Sequence, residues 1–316
     1  MFKRMLSLAA VCLLAACSNS APPQGQAQPG VPRVALVMKS LANEFFKTME
    51  DSARAYAGEH ADKFTLVANG IKNEEDVAGQ IALVEQMIVQ QVDAIVIAPA
   101  NSEALVWVLK RAADAGIVVV NIDNKLSDDA MAKEGVQIPF IGPDNRAGAR
   151  LAGEHVAASL QAGDTAAIIG GIPSAFNAIQ RAQGFQDALD AAGIQVVATQ
   201  AGNWEMAKAN QVASGLINEH PDLDAILCAN DNMALGAVAA LRDAGKEGQV
   251  LVCGYDNIGA VRDLVKAGTV DCTVEQHGDQ LAIYGIDYAL DILASGGQPA
   301  DKETPVELVT AESLGG

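Results

Sequence analysis

The residues able to do chemistry in this chain gather at the ends of short apolar runs. In chain order they are Lys39-Ser40-Leu41-Ala42-Asn43, Asn69-Gly70, Pro99-Ala100-Asn101, Asp123-Asn124, Pro173-Ser174, Asn203-Trp204, Asn230-Asp231-Asn232, Tyr255-Asp256-Asn257 and Glu275-Gln276. Amides, carboxylates and aromatic rings dominate this set. Planar amides and carboxylates bridge neighbouring hydroxyls, while Arg or Lys acts as a pure donor. Aromatic faces cover the C–H surface of a ring, and a few polar groups fix its orientation. The combination suits a sugar or polyol better than an amino acid, which calls for dedicated carboxylate and ammonium holders.

Other chemistries lack their signatures. The dinucleotide pattern GxGxxG and the phosphate-binding P-loop are both absent. His60, His155, His220 and His277 are scattered over helix-like or loop-like stretches, with no Ser/His/Asp, Cys/His or metal-type spacing around them. No catalysis, cofactor or metal is therefore expected.

The elements that must position this set alternate along the chain. Strand-like runs are expected at 34–38, 64–68, 94–98, 118–123 and 139–142, with helix-like segments at 44–60, 74–90 and 102–115 between them. The second half repeats the theme, with strands at 166–170, 194–199, 225–229, 250–256 and 269–275. Its helices are expected near 145–161, 178–192, 205–219, 233–244, 258–267 and 280–294. Continuously apolar strands imply burial on both faces, as in a parallel sheet covered by helices. Strand, helix, strand at this spacing implies right-handed crossovers. The fold class is α/β, with two doubly wound parallel-sheet domains. Ligands of such sheets sit beyond the carboxyl ends of the strands, where the polar set falls.

The chain has 316 residues, 50% hydrophobic and 19% charged, enough for two domains with ordinary cores. A formal charge of −18 excludes a nucleic-acid partner, since phosphate binding needs an excess of Lys and Arg. Met-Phe-Lys-Arg followed by the short apolar run MLSLAAVCLLAA has the layout of a secretory signal. Leu14-Ala15-Ala16-Cys17 resembles the lipobox of bacterial lipoproteins, so residues 1–16 are expected to be cleaved and Cys17 lipidated. Residues 17–32, rich in Pro, Gln, Ser and Gly, read as a flexible tether. Cys228, Cys253 and Cys272 lie in apolar runs and read as buried small hydrophobes, a Cys228–Cys253 bridge remaining open. Trp107 reads as packing within an apolar helix pattern.

The stretches SLANEFF (40–46), VVVNIDN (118–124), FNAIQRAQGF (176–185), EHPDLDAILCANDNMALGA (219–237), VCGYD (252–256) and TVEQ (273–276) resemble the ribose-binding proteins of bacterial ABC importers, in order and spacing, from about Arg33 onward. Pieces such as NDNMALGA also occur in lactose-repressor-type regulators, which begin with a DNA-binding domain rather than an export signal. The resemblance implies two lobes, 33–143 with 277–305 and 144–276 with 306–316, joined by crossings near 143–144, 276–277 and 305–306. It implies a monomer, anchored outside the cytoplasm, that closes on a monosaccharide or polyol and delivers it to a membrane permease.

The resemblance also assigns ligand contacts. Asn43, Phe45 and Phe46 match a hydrogen bonder and two stacking rings, though Phe45 also suits a core position. Asp123, Arg181, Asn230, Asp256 and Gln276 match polar contacts, while Trp204 and Tyr255 take aromatic positions. Asp231 then reads as the cap of the helix after Asn230. Two departures stand out. Asn124 replaces the usual Arg after Asp123, and Lys39 replaces a small hydroxyl residue, as if a cation had changed sides of the cleft. Another pentose, a hexose or an inositol is therefore open beside ribose. A sugar-sensing lipoprotein serving a chemoreceptor or sensor kinase would have the same fold, and nucleoside or autoinducer ligands also fit this class.

Overall fold

The computed structural model describes residues 30–296 and 300–315. The expected signal peptide, Cys17 and nearly all of the tether lie outside the described residues. The first lobe runs β1 (Arg33–Ser40), α1 (Glu44–Glu59), β2 (Thr65–Ile71), α2 (Val77–Val89), β3 (Ala94–Ile97), α3 (Val106–Asp114), β4 (Val118–Ile122), α4 (Asp128–Glu134) and β5 (Phe140–Pro143). The second runs α5 (Asn145–Ala157), β6 (Thr165–Gly170), α6 (Phe176–Ala192), β7 (Gln195–Ala201), α7 (Met206–Glu219), β8 (Ala225–Cys228), α8 (Asp231–Asp243), β9 (Leu251–Cys253), α9 (Gly259–Lys266) and β10 (Cys272–Glu275). The chain then returns through α10 (Gly278–Ser295) and β11 (Lys302–Thr304) to the first lobe, and ends with β12 (Glu307–Thr310) in the second.

The sheet orders are β11-β5-β4-β3-β1-β2 and β12-β10-β9-β8-β6-β7. All pairings are parallel except β10 with β12. The chain thus passes between the sheets three times, after β5, after β10 and after β11. Alternate residues of β1 enter two separate apolar clusters. Val34, Leu36 and Met38 pack on one face, Ala35 and Val37 on the other. That two-sided burial explains why the strand reads as an unbroken apolar run. In each lobe the strand order reverses around the first strand, β1 or β6, which places a crevice beyond its carboxyl end.

Several elements differ from the sequence reading. Helix α2 starts at Val77 rather than 74, because Asp76 caps it by accepting from the Gly79 amide. Residues 72–76 become a loop instead. Helix α4 was not anticipated, although Ser127 caps it and Gly135, at φ 65°, ends it. Trp107 is 41% exposed, with the Arg111 guanidinium over its ring at 5.7 Å, so it is not a packing residue. Cys228, Cys253 and Cys272 are buried free thiols. Cys253 pairs in register with Leu227, leaving Cys228 one residue out of step with it.

Candidate functional site

The carboxyl ends of both sheets meet at a small, nearly closed cavity lined by Lys39, Asn43, Phe45, Phe46, Glu74, Asp123, Asn177, Arg181, Trp204, Asn230 and Asp256. Nine of these side chains belong to the set expected from sequence. Glu74 and Asn177 do not, and they come from opposite lobes.

Backbone conformation aims several of them. Asp123 at φ 63°, Trp204 at 68° and Asp256 at 121° all occupy the left-handed region, which non-glycine residues adopt at a cost of roughly 1–3 kcal/mol. Each turns its side chain out of the strand direction and into the cleft. Gly171 makes room for the indole, since a Cβ there would lie 2.1 Å from a Trp204 ring atom.

On the first-lobe side Lys39 is 3% exposed, not a solvated rim residue. Its Nζ lies 3.1 Å from Asp123 and 3.9 Å from Glu74, and faces the Phe46 and Trp204 rings at 5.1 and 5.6 Å. Asn43 caps α1 through the Phe45 amide and donates its Nδ2 to Glu74 Oε1 at 3.2 Å. Phe45 and Phe46 are both buried and meet edge to face, with centroids 5.1 Å apart. Burial pushes the Glu74 carboxyl up to about 7, against the opposing pull of Lys39 and the Asn43 amide.

On the other side Arg181 is locked in place. Its Nε donates to Asn145, Nη1 to the Ala229 carbonyl and Asp256, and Nη2 to Gln276, so four of the five guanidinium N–H groups have protein partners. Its plane stacks 3.7 Å from the Tyr255 ring centroid. Gln276 also donates to Asp256 at 2.7 Å. Burial holds the Asp256 carboxyl well above the usual carboxylate range, with Arg181 pulling it down.

Three expected contacts lie behind the cavity wall rather than in it. Tyr255 supports Arg181 from below, and Gln276 orients both Arg181 and Asp256. Asn124 turns away, donating to the Pro99 carbonyl at 2.9 Å and accepting from Ser102 Oγ and the Asn177 amide. The expected exchange of cations is thus half present, with Lys39 in the cavity and Asn124 outside it. The roles of Asn230 and Asp231 are also corrected. Asn230 lines the cavity and is itself the cap of α8, accepting from the Met233 amide at 2.9 Å. Asp231 is buried behind it, accepting from Thr273 Oγ1 and the Ile258 amide, because one residue further on the side chain faces the strands.

Four buried polar atoms around this cavity have no hydrogen-bond partner among the described residues: Glu74 Oε2, Asp123 Oδ2, Asn177 Oδ1 and Trp204 Nε1. The contact of Asp123 Oδ2 with Lys39 is an ion pair without hydrogen-bond geometry. Unsatisfied buried groups are costly and rare in native folds. Three acceptors and one donor, drawn from both lobes around one small space, match a guest bearing several hydroxyls.

The family pattern described as the periplasmic binding protein domain matches residues 34–298. The D-ribose/D-allose-binding protein of Pseudomonas aeruginosa is 55% identical over 317 residues, covering 98% of this chain and 99% of that protein. Among solved structures, an ABC transporter solute-binding protein from Burkholderia multivorans aligns with a TM-score of 0.87 at 54% identity, covering 89% of this chain and 100% of that one. A periplasmic solute-binding protein from Actinobacillus succinogenes with bound D-allose aligns with a TM-score of 0.85 at 32% identity, covering 89% and 98%.

Proposed function

The chain belongs to the periplasmic binding protein family, and from that premise we propose that it captures a monosaccharide of the ribose or allose type for an ABC importer. The observation that carries the ligand class is the group of four partnerless polar atoms around one small cavity. A sugar hydroxyl both donates and accepts, so it satisfies Glu74, Asp123 and Asn177 as well as the Trp204 N–H. Phe45, Phe46 and Trp204 cover its C–H surface. Lys39, Asn43, Asn230, Asp256 and the remaining N–H of Arg181 complete the polar contacts, while Tyr255, Gln276 and Asn124 hold those groups in place.

Capture works by closure of two lobes, 33–143 with 277–305 against 144–276 with 306–316, about the three crossings. A sugar touching both lobes binds the closed form better, and that difference alone shifts the population. The protein acts in the periplasm as a monomer. Residues LLAAC support cleavage before Cys17 and attachment of acyl chains there, residues 17–32 serving as the tether. A membrane permease then takes the sugar from the closed form.

Isothermal calorimetry with D-allose and D-ribose tests the reading. Saturable binding of at least one of them is expected, and Asp123→Ala is expected to weaken it at least tenfold, the loss of about one charge-assisted hydrogen bond. Absence of binding to both sugars overturns the proposed ligand class.

A further inference from the structure

Helix α6 begins without a cap of its own. Ala175 stands at its N-cap and has no side-chain acceptor, so the first amides of the helix lack partners within the second lobe. The first lobe supplies them. The Phe176 amide donates to Ser102 Oγ at 3.0 Å and the Asn177 amide to Asn124 Oδ1 at 3.2 Å. Asn124 is itself fixed by the Pro99 carbonyl and by Ser102, and is 0% exposed. Helix α9 repeats the arrangement. Ile258 gives it no side-chain cap, and the Gly259 amide donates to Glu44 Oε1 of the first lobe at 2.8 Å. A second, independent feature stands beside the first cap. Asn177 is 2% exposed, lines the cavity, and has its Oδ1 without a partner among the described residues.

We infer that closure of the lobes is a helix-capping event across the cleft, and that Asn124, by capping α6, holds Asn177 in position as a contact for a sugar hydroxyl. The second half of this inference rests on the sugar-binding reading. Asn124 is a positioning residue, since it touches no part of the cavity, whereas Asn177 changes side with its lobe and meets the guest only in the closed form. Such a contact favours the closed state by its differential binding. It also gives the Asn at 124 a role that the residue type alone does not reveal: it accepts from a helix end.

The two residues leave different signatures. Loss of a cap changes the closing equilibrium and weakens every sugar by one common factor, between about twofold and thirtyfold. Loss of a contact weakens sugars unequally, according to the hydroxyl each offers. Sugar-free wild type, Asn124→Ala, Ser102→Ala and Glu44→Ala are compared by small-angle X-ray scattering. Glu44 is exposed, so its variant reports on capping even where the buried ones fail to fold. A larger radius of gyration in the variants is expected, and equal radii overturn the capping half. Calorimetry with D-allose and D-ribose then compares Asn124→Ala with Asn177→Ala. Equal factors for the first and unequal factors for the second are expected; unaltered affinity in Asn177→Ala overturns the contact. If wild type binds neither sugar, the sugar-binding reading and the contact fail together, while scattering still decides the capping.

Discussion

Glu74 is the side chain whose burial costs this fold most visibly. Desolvation lifts its carboxyl from the ordinary 4.5 to about 7, and Lys39 and the Asn43 amide offset only part of that, while Asp123 and Glu205 add to it. A folded-state value above the unfolded one means that the native protein holds an extra proton between about 4.5 and 7. Stability is therefore present below that window and is lost as pH rises through it, by roughly 3 kcal/mol at most. Asp231, raised to about 7 by burial, acts with the same sign. Calorimetric melting of the sugar-free protein is expected to fall from about pH 5 to about pH 8, and to fall less steeply in Glu74→Gln, the residual slope belonging to Asp231 and Asp256, whose carboxyls burial also raises. Parallel curves would place the proton elsewhere. Sequence reading missed Glu74 for a physical reason. Asn73-Glu74-Glu75-Asp76 looks like the acidic first turn of a helix facing water, and only the start of α2 at Val77 turns that segment into a loop entering the cleft. Asn177 was hidden in the same way, inside a stretch whose one evident polar contact was Arg181.

At the scale of elements, strand ends and helix starts share the same few residues, and a shift of one position decides which side chain does what. Asn230 and Asp231 are both competent caps, so the pair leaves the choice open in sequence. The structure gives the cap to Asn230 and ties Asp231 to β10 and the loop before α9. Capping and ligand contact can therefore be separated at position 230. Asn230→Ser retains an acceptor for the Met233 amide, so its unfolding free energy is expected to stay within about 0.5 kcal/mol of wild type. Asn230→Ala is expected to cost about 1 kcal/mol. Both lose the amide that faces the cavity, so both are expected to bind sugar more weakly. Denaturant unfolding beside calorimetry checks this, and a Ser variant with full affinity would reduce Asn230 to a cap. The alternation of strands and helices was legible because buried parallel strands are unbroken apolar runs. Helix α4 was not, since seven residues are too few to set up a visible period even between good caps. The left-handed conformations of Asp123, Trp204 and Asp256 were not legible either, because they are imposed by the packing of whole strands rather than by residue type.

Across the whole molecule, charge separates the surface from the cleft. The chain carries a formal −18, whereas the cavity opposes Lys39 and Arg181 with Asp123 and Asp256, leaving Glu74 near its titration point at neutral pH. A neutral guest leaves those pairs intact. An anionic guest competes with Asp123 and Asp256 for the same two cations and brings another charge into a space already desolvated, which is unfavourable unless fully paired. It also approaches against the field of an acidic protein. Neutral aldoses are therefore expected to raise the melting temperature with the logarithm of their concentration, about 2.7 kcal/mol of added stability at a hundredfold excess over the dissociation constant. For lobes of this size that corresponds to a rise of several degrees. The matching aldonate and sugar phosphate at equal concentration are expected to give no rise at about pH 7.5. A thermal-shift comparison of D-allose and D-ribose with D-ribose 5-phosphate and D-ribonate reads this directly. Equal stabilisation by the charged pair would mean that Lys39 and Arg181 are free to leave their carboxylate partners, and that the cleft selects by shape alone.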